Sequence, residues 1–304
     1  LMPRFLRKRR AGLPALQETI EEVTRRLGLD RRTFFTLVLL RQIQGSYDDN
    51  PITVSEIRSW STFLYSTIDA TAAPLATLKE KGLLHEDAGG ALDLSREARE
   101  AVDQLHATAR AQLARLQPLA PGDLGSLTGR LERTVQGILN DPVLSPRPGS
   151  HLAGSRSLAT FGPDAPAMVR LEQAIFDLWM ARDDAHIKSW RDAGLEGPAM
   201  QVLTLLWLGE ANTVSGLAEL LREDQSPEDL ESSLAYLTAK ELTVQHGDLV
   251  QLTPKGVLER EDIERDTDHI YFAPWPPFTL LEARWLRDEL RALVDNLPAP
   301  APLR

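Results

Sequence analysis

The sequence predicts a mainly α chain with two small β-hairpins, made of two tandem units joined by a helix and a flexible linker. Three observations carry that reading. Blocks of sequence recur in one order at a nearly constant offset. Apolar residues return at helical spacing through most of the chain. Each recurring unit then closes in a short hairpin pattern around glycine.

The repeat is read block by block. "LGLDRRTFFTLVLL" (27–40) answers "AGLEGPAMQVLTLL" (193–206), and "TVSEI" (53–57) answers "TVSGL" (213–217). "LATLKEKGLL" (75–84) answers "LAYLTAKELT" (234–243), and "LDLSREA" (92–98) answers "VQLTPKG" (250–256). The offset drifts only from 166 to 158 residues. Four blocks in one order point to an internal duplication.

Periodicity sets the elements. Asp30 is a good N-cap for a helix over 31–45, with Phe34, Leu37, Val38 and Leu40 as its buried set. "SYDDNP" (46–51) reads as a loop, and Ser55 to Phe63 as a short helix. The next helix starts at Ser66 or Asp69, because Pro74 is tolerated only in a first turn. Gly82 ends it, and "LLHEDAGGALDL" reads as two strands. A helix over 95–117 follows, striped by Val102, Leu105, Ala109, Leu113 and Leu116. Near the C-terminus Leu281, Trp285, Leu290, Leu293 and Leu297 make a similar stripe. Between the units a helix over about 123–139 leads into a Pro/Gly/Ser-rich linker, 140–160. The chain thus divides into a basic arm (1–12), unit 1 (13–117), a connecting helix and linker (118–160), unit 2 with a C-terminal helix (161–297) and a tail (298–304).

Composition narrows the function. The chain holds no cysteine, which excludes disulfides, thiol catalysis and Cys-ligated zinc. No apolar run reaches the roughly 20 residues a membrane helix needs. The start, "LMPRFLRKRR", is basic but leads into no apolar segment, so a cytoplasmic protein is expected. The net charge of −10 hides a split. Residues 1–150 hold 20 Lys/Arg and 18 Asp/Glu, whereas residues 151–304 hold 14 and 26. Nucleic-acid affinity is therefore expected from the first unit.

The order helix, "TVSEI" helix, second helix ending "LKEKGLL", hairpin, then "LSREA" resembles the MarR-type winged helix-turn-helix regulators. "LAYLTAKEL" and "LTPKG" repeat the resemblance in unit 2. "RDDAHIKSWRDAGL" with "TDHIYFAPW" looks like uncharacterised tandem winged-helix proteins of high-GC bacteria. The resemblance implies two β-wings and a dimer that sets recognition helices in successive major grooves. Two units in one chain would make that arrangement covalently.

The resemblance has departures. The helix of unit 2 that would enter DNA begins Ser226-Pro227-Glu228-Asp229-Leu230-Glu231, and three carboxylates repel phosphate. Those residues make a good helix start instead: a capping Ser, Pro at N1, then acids favoured by the helix dipole. Candidate DNA contacts therefore lie in the arm and unit 1: Arg4, Arg7, Lys8, Arg9, Arg10, Arg31, Arg32, Arg58, Ser66, Thr67, Thr71 and Lys79. Neither hairpin tip, "HEDAGG" or "QHGD", carries an Arg for the minor groove.

Two pairs, Asp183/His186 and Asp266/His269, stand one helical turn apart. Such pairs on two helices are a metal-binding pattern. Ion pairing with Arg182 or Arg265 and helix capping by His explain them better, and no metal ligand is assigned. Five of the six tryptophans fall in the second half. His186, Trp190, His269, Tyr271 and Trp275 form a candidate ligand-binding set. No phosphate-cradling loop, GxSxG elbow or nucleophile–base pair occurs, so neither an enzyme nor a cofactor is expected.

The expected partners are double-stranded DNA at unit 1, a small-molecule effector, a protein at acidic unit 2 and a second copy of the chain, with no membrane. Two alternatives stand beside the regulator. One is an interaction adaptor on degenerate winged helices. The other is a ligand- or metal-binding protein using the two Asp/His pairs.

Overall fold

A computed structural model describes residues 13–60, 64–67, 71–158 and 161–298. It is mainly helical with two small antiparallel sheets. The N-terminal half runs α1 (Pro14–Leu27), α2 (Arg31–Ser46), α3 (Val54–Arg58), α4 (Ala72–Glu80), β1 (Leu84–Glu86), β2 (Leu92–Leu94) and α5 (Arg96–Leu113). Next come α6 (Pro121–Leu139) and α7 (His151–Ser157). The C-terminal half runs α8 (Ala167–Asp192), α9 (Gly197–Leu208), α10 (Val214–Leu221), α11 (Pro227–Ala239), β3 (Thr243–His246), β4 (Leu249–Leu252) and α12 (Pro254–Phe272). The last helix is α13 (Leu280–Asn296).

The caps follow from the sequence. Asp30 accepts from the Thr33 amide to open α2, as expected. Thr53 and Glu56 form a reciprocal capping box on α3. Ser226 opens α11 with Pro227 behind it and Glu228 and Asp229 in the first turn. The helix expected from Ser66 or Asp69 begins instead at Ala72, after Thr71, and Asp69 lies outside the described residues. Pro74 still falls in its first turn, where its missing N–H costs nothing.

The two halves close with matching hydrogen bonds. Leu29 N donates to Thr24 O, and Leu195 N donates to Trp190 O. Leu83 N donates to Leu78 O, and Leu242 N donates to Leu237 O. Ser95 N reaches Leu83 O, and Thr253 N reaches Leu242 O. In each half a left-handed glycine, Gly28 or Gly194, breaks the chain between two helices. In each half, too, the helix before the repeat block packs on the helix after the hairpin: α1 on α5 and α8 on α12.

Three apolar cores result. One, with Phe34, Leu37, Trp60 and Leu78, belongs to the N-terminal half. A second, with Trp190, Met200, Leu217 and Leu237, belongs to the C-terminal half. The third joins them through α6, α8 and α13, with Leu127, Leu171, Ala181 and Leu293. The expected C-terminal stripe is thus present, except that Leu281 is 76% exposed. It sits in the first turn of α13, ahead of the first residue of that helix to reach the core, Leu286.

Residues 151–157, read above as part of a flexible linker, form α7. The segment is pinned on both sides. Asp184 of α8 accepts from the amides of His151 and Leu152 and from His151 Nδ1, at 2.9, 3.0 and 2.7 Å. Buried Asp177 takes Ser155 Oγ at 2.8 Å and Arg156 Nη1 at 2.7 Å. Gly154 lies so close to Trp60 that an added Cβ would fall 2.3 Å from the indole. Glycine and serine here mark close packing, which composition does not distinguish from flexibility.

Candidate nucleic-acid interface and ligand cavity

The segment before α4 docks on the C-terminal half. Leu64 and Tyr65 pack against the second core, where the Tyr65 and Trp190 rings stand 6.2 Å apart. Ser66 Oγ and the Thr67 amide both donate to Asp224 O at 2.8 Å. Thr67 Oγ1 donates to Asp229 Oδ2 at 2.6 Å. The approach is close enough that a Cβ on Gly197 would sit 2.0 Å from Leu64 O. The Thr67 and Ser226 hydroxyls hold the Asp229 carboxyl below its usual range. One of the three acids at the start of α11 therefore serves the joint between halves. Glu228 and Glu231 face solvent.

This joint redistributes the candidate DNA contacts. Ser66 and Thr67 are engaged by the C-terminal half. Thr71 is 2% exposed, and Lys79 is paired with Glu86. The exposed positions of α4 are Ala72, Ala73, Ala76 and Glu80, which offer no base-reading donor. Arg4, Arg7, Lys8, Arg9 and Arg10 lie outside the described residues. Arg31, Arg32 and Arg58 are exposed, and the Arg31 guanidinium lies 5.6 Å from the Phe35 ring.

Sequence reasoning groups Arg25, Arg26, Arg31 and Arg32 as a basic cluster but does not bring Lys81 to them. Exposed Arg25 and Arg26 end α1, and Arg31 and Arg32 begin α2, on either side of Gly28. Lys81 reaches the same turn, its Nζ 2.9 Å from where a Gly28 Cβ would stand. The matching turn at Gly194 has Lys240 beside it, but Glu196 follows and Asp192 pairs with Lys188 at 2.7 Å. The Gly28 turn sets five cations against Asp30, whereas the Gly194 turn sets Lys188, Arg191 and Lys240 against Asp192 and Glu196, so it is close to balanced.

The candidate ligand residues separate. Tyr271 and Trp275, with rings 5.2 Å apart, line an apolar cavity of about 290 Å³ between α6, α8, α12 and α13. Its single charged wall residue, Arg182, pairs with Glu264 at 3.1 Å. Burial raises the Tyr271 hydroxyl above its usual range. His186 and Trp190 do not line this cavity. Trp190 is a core residue, and His186 Nδ1 meets Thr267 Oγ1 at 3.1 Å. Burial pushes the His186 pKa down to about 4. His269 is exposed. Among the described residues no group of three or more His, Asp or Glu stands together to hold a metal ion.

Residues 153–301 match the model of a helix-turn-helix family. That match, over 149 of the 304 residues, supports a helix-turn-helix protein. The matched region includes α10 and α11, whose connecting turn receives Ser66 and Thr67. No curated protein and no solved structure matches the chain. The family assignment points, in general terms, to DNA binding and regulation. No helix among the described residues is long and apolar enough to cross a membrane.

Proposed function

We propose that the chain is a DNA-associated transcriptional regulator of MarR-like type, made of two winged-helix units related by duplication. Unit 1 contacts DNA, and acidic unit 2 is the partner and effector module. The observation that carries the division of roles is the cationic turn at Gly28 set against the balanced turn at Gly194. Five exposed cations around one backbone turn suit a phosphate track. The paired hydrogen bonds in the two halves support the duplication.

The Ser66–Thr67 joint adds a constraint. It occupies the leading ends of both recognition helices, so contact in this arrangement is made with phosphates rather than base edges. Base reading through those ends requires the two turns to part. The cavity at Tyr271 and Trp275 is the effector site in this reading, and its walls call for a mainly apolar ligand.

The test is fluorescence anisotropy with a random duplex across a salt series, on the full chain and on a chain lacking residues 1–12. Binding that weakens steeply with salt supports the reading. No binding at low salt refutes it. An adaptor role is the second reading, favoured by Trp207, Leu208 and Leu220, all exposed apolar residues of acidic unit 2. Salt-insensitive behaviour towards DNA together with a defined protein partner would select it.

A further inference from the structure

A second cavity, of about 360 Å³, lies on the boundary between the halves, apart from the one at Trp275. The N-terminal half contributes Trp60, His106 and Arg110, and the C-terminal half contributes Phe176, Trp179 and Asp183. Its size is at the small end of ligand sites, roughly 300–1,000 Å³. Four aromatic side chains, Trp60, Phe161, Phe176 and Trp179, supply its walls, with the Phe176 and Trp179 rings 6.0 Å apart.

Asp183 is the unusual group. It has no hydrogen bond or ion pair among the described residues, although its neighbour Asp184 has three donors. Burial pushes its pKa up to about 6, against the opposing pull of His151. A carboxylate placed in an aromatic pocket without a partner is costly unless something cationic joins it. His151 and Arg182 pull against that shift but form no ion pair with Asp183, and Arg110 is not among the charges that act on it. The charged walls hold two carboxylates, Glu172 and Asp183, against the one guanidinium of Arg110. The wall charge therefore disfavours an anion.

We propose that this cavity binds a small organic cation, an ammonium whose charge meets Asp183 and whose carbon skeleton lies against Trp60, Phe176 and Trp179. A cation over tryptophan faces gains from the ring quadrupole as well as from the carboxylate. Because its walls come from both halves, an occupied cavity ties them together. The proposal does not depend on DNA binding.

The experiment titrates the full chain at pH 8 with benzyltrimethylammonium, whose charge does not vary with pH, and follows tryptophan fluorescence. Benzyl alcohol and benzoate are the neutral and anionic controls. Saturable binding of the cation is expected, at least tenfold tighter than either control. Asp183→Asn should weaken it at least tenfold without lowering the melting temperature, since the variant removes an unpaired charge. Phe176→Leu is the second variant, expected to weaken the cation about threefold while Asp183 stays in place. Equal binding of cation and benzyl alcohol would overturn the proposal. Unchanged affinity in Asp183→Asn, or no saturation by about 10 mM, would do so as well.

Discussion

Thr67 donates its hydroxyl to Asp229 across the boundary between the two halves, Oγ1 to Oδ2 at 2.6 Å. Thr67 precedes α4 in the N-terminal half, and Asp229 lies in the first turn of α11 in the C-terminal half. On the proposed reading, the bond ties together the two places where a winged helix would meet DNA. Leu64, packed over Gly197, completes the contact.

Gly197→Ala should disrupt this joint. The new methyl would stand 2.0 Å from a backbone oxygen, which cannot rotate away. A loss of about 1–3 kcal/mol is expected, the usual range for overpacking. Urea unfolding measures it. A variant as stable as the parent would show that the halves do not hold this contact in solution.

Gly154→Ala probes the other side of the junction. Its methyl would fall 2.3 Å from the Trp60 ring, which is buried and has no room to turn. A comparable loss of about 1–3 kcal/mol is expected, with a change in near-ultraviolet circular dichroism from Trp60. Gly162→Ala is the control, since nothing stands within 4 Å of its added methyl.

Asp177→Ala should cost more. Asp177 is 2% exposed and accepts from Ser155, Arg156 and Gln173. Removing it strands three donors, and breaking such a buried pair costs about 3–5 kcal/mol. Thermal melting should show the drop, together with faster proteolysis at 140–160 as α7 loosens. An unchanged proteolysis pattern would contradict the role given to this carboxylate.

His186 and Asp183 give opposite dependences on pH. The fold holds His186 neutral, with a pKa near 4 in place of 6.5. Its contribution is complete above pH 6.5 and is lost as the pH falls towards 4. The loss is at most about 3 kcal/mol, at 1.36 kcal/mol per pKa unit. Around it stand Glu264, Arg260 and Arg182. His186→Gln should flatten this part of the stability profile. Asp183 has its pKa raised, so its penalty is absent below about pH 4 and complete above about 6. Asp183→Asn should therefore gain stability over the parent as the pH rises through that window. Parallel profiles for variant and parent would contradict both assignments.

The legible part of the fold was what local chemistry fixes. Asp30 and Ser226 announced helix starts, and Leu84 to Leu94 announced a hairpin. Those signals depend on residues within one turn of each other. The joint did not show itself, because Ser66 and Asp224 are 158 residues apart and nothing local distinguishes a docked serine from a groove-reading one. The α7 segment was misleading for a related reason: its glycines allow close approach as readily as motion. At the candidate sites, Arg31 and Arg32 were legible as a charge pair. Lys81 was not, because only the fold brings it to Gly28. Tyr271 and Trp275 share a cavity, whereas His186 and Trp190, grouped with them by residue type, do not line it.

The most direct test of the account is to change the charge at exposed positions of each half and measure duplex binding across a salt series. One variant reverses Arg31 and Arg32 to Glu, and the other changes Glu228 and Glu231 to Gln. The account predicts that the first loses binding and that its salt slope falls by about 1 for each phosphate contact removed. The second should bind as the parent does. Equal binding by the parent and the Arg31/Arg32 variant, or a gain confined to the Glu228/Glu231 variant, would place DNA on the second unit and contradict the account.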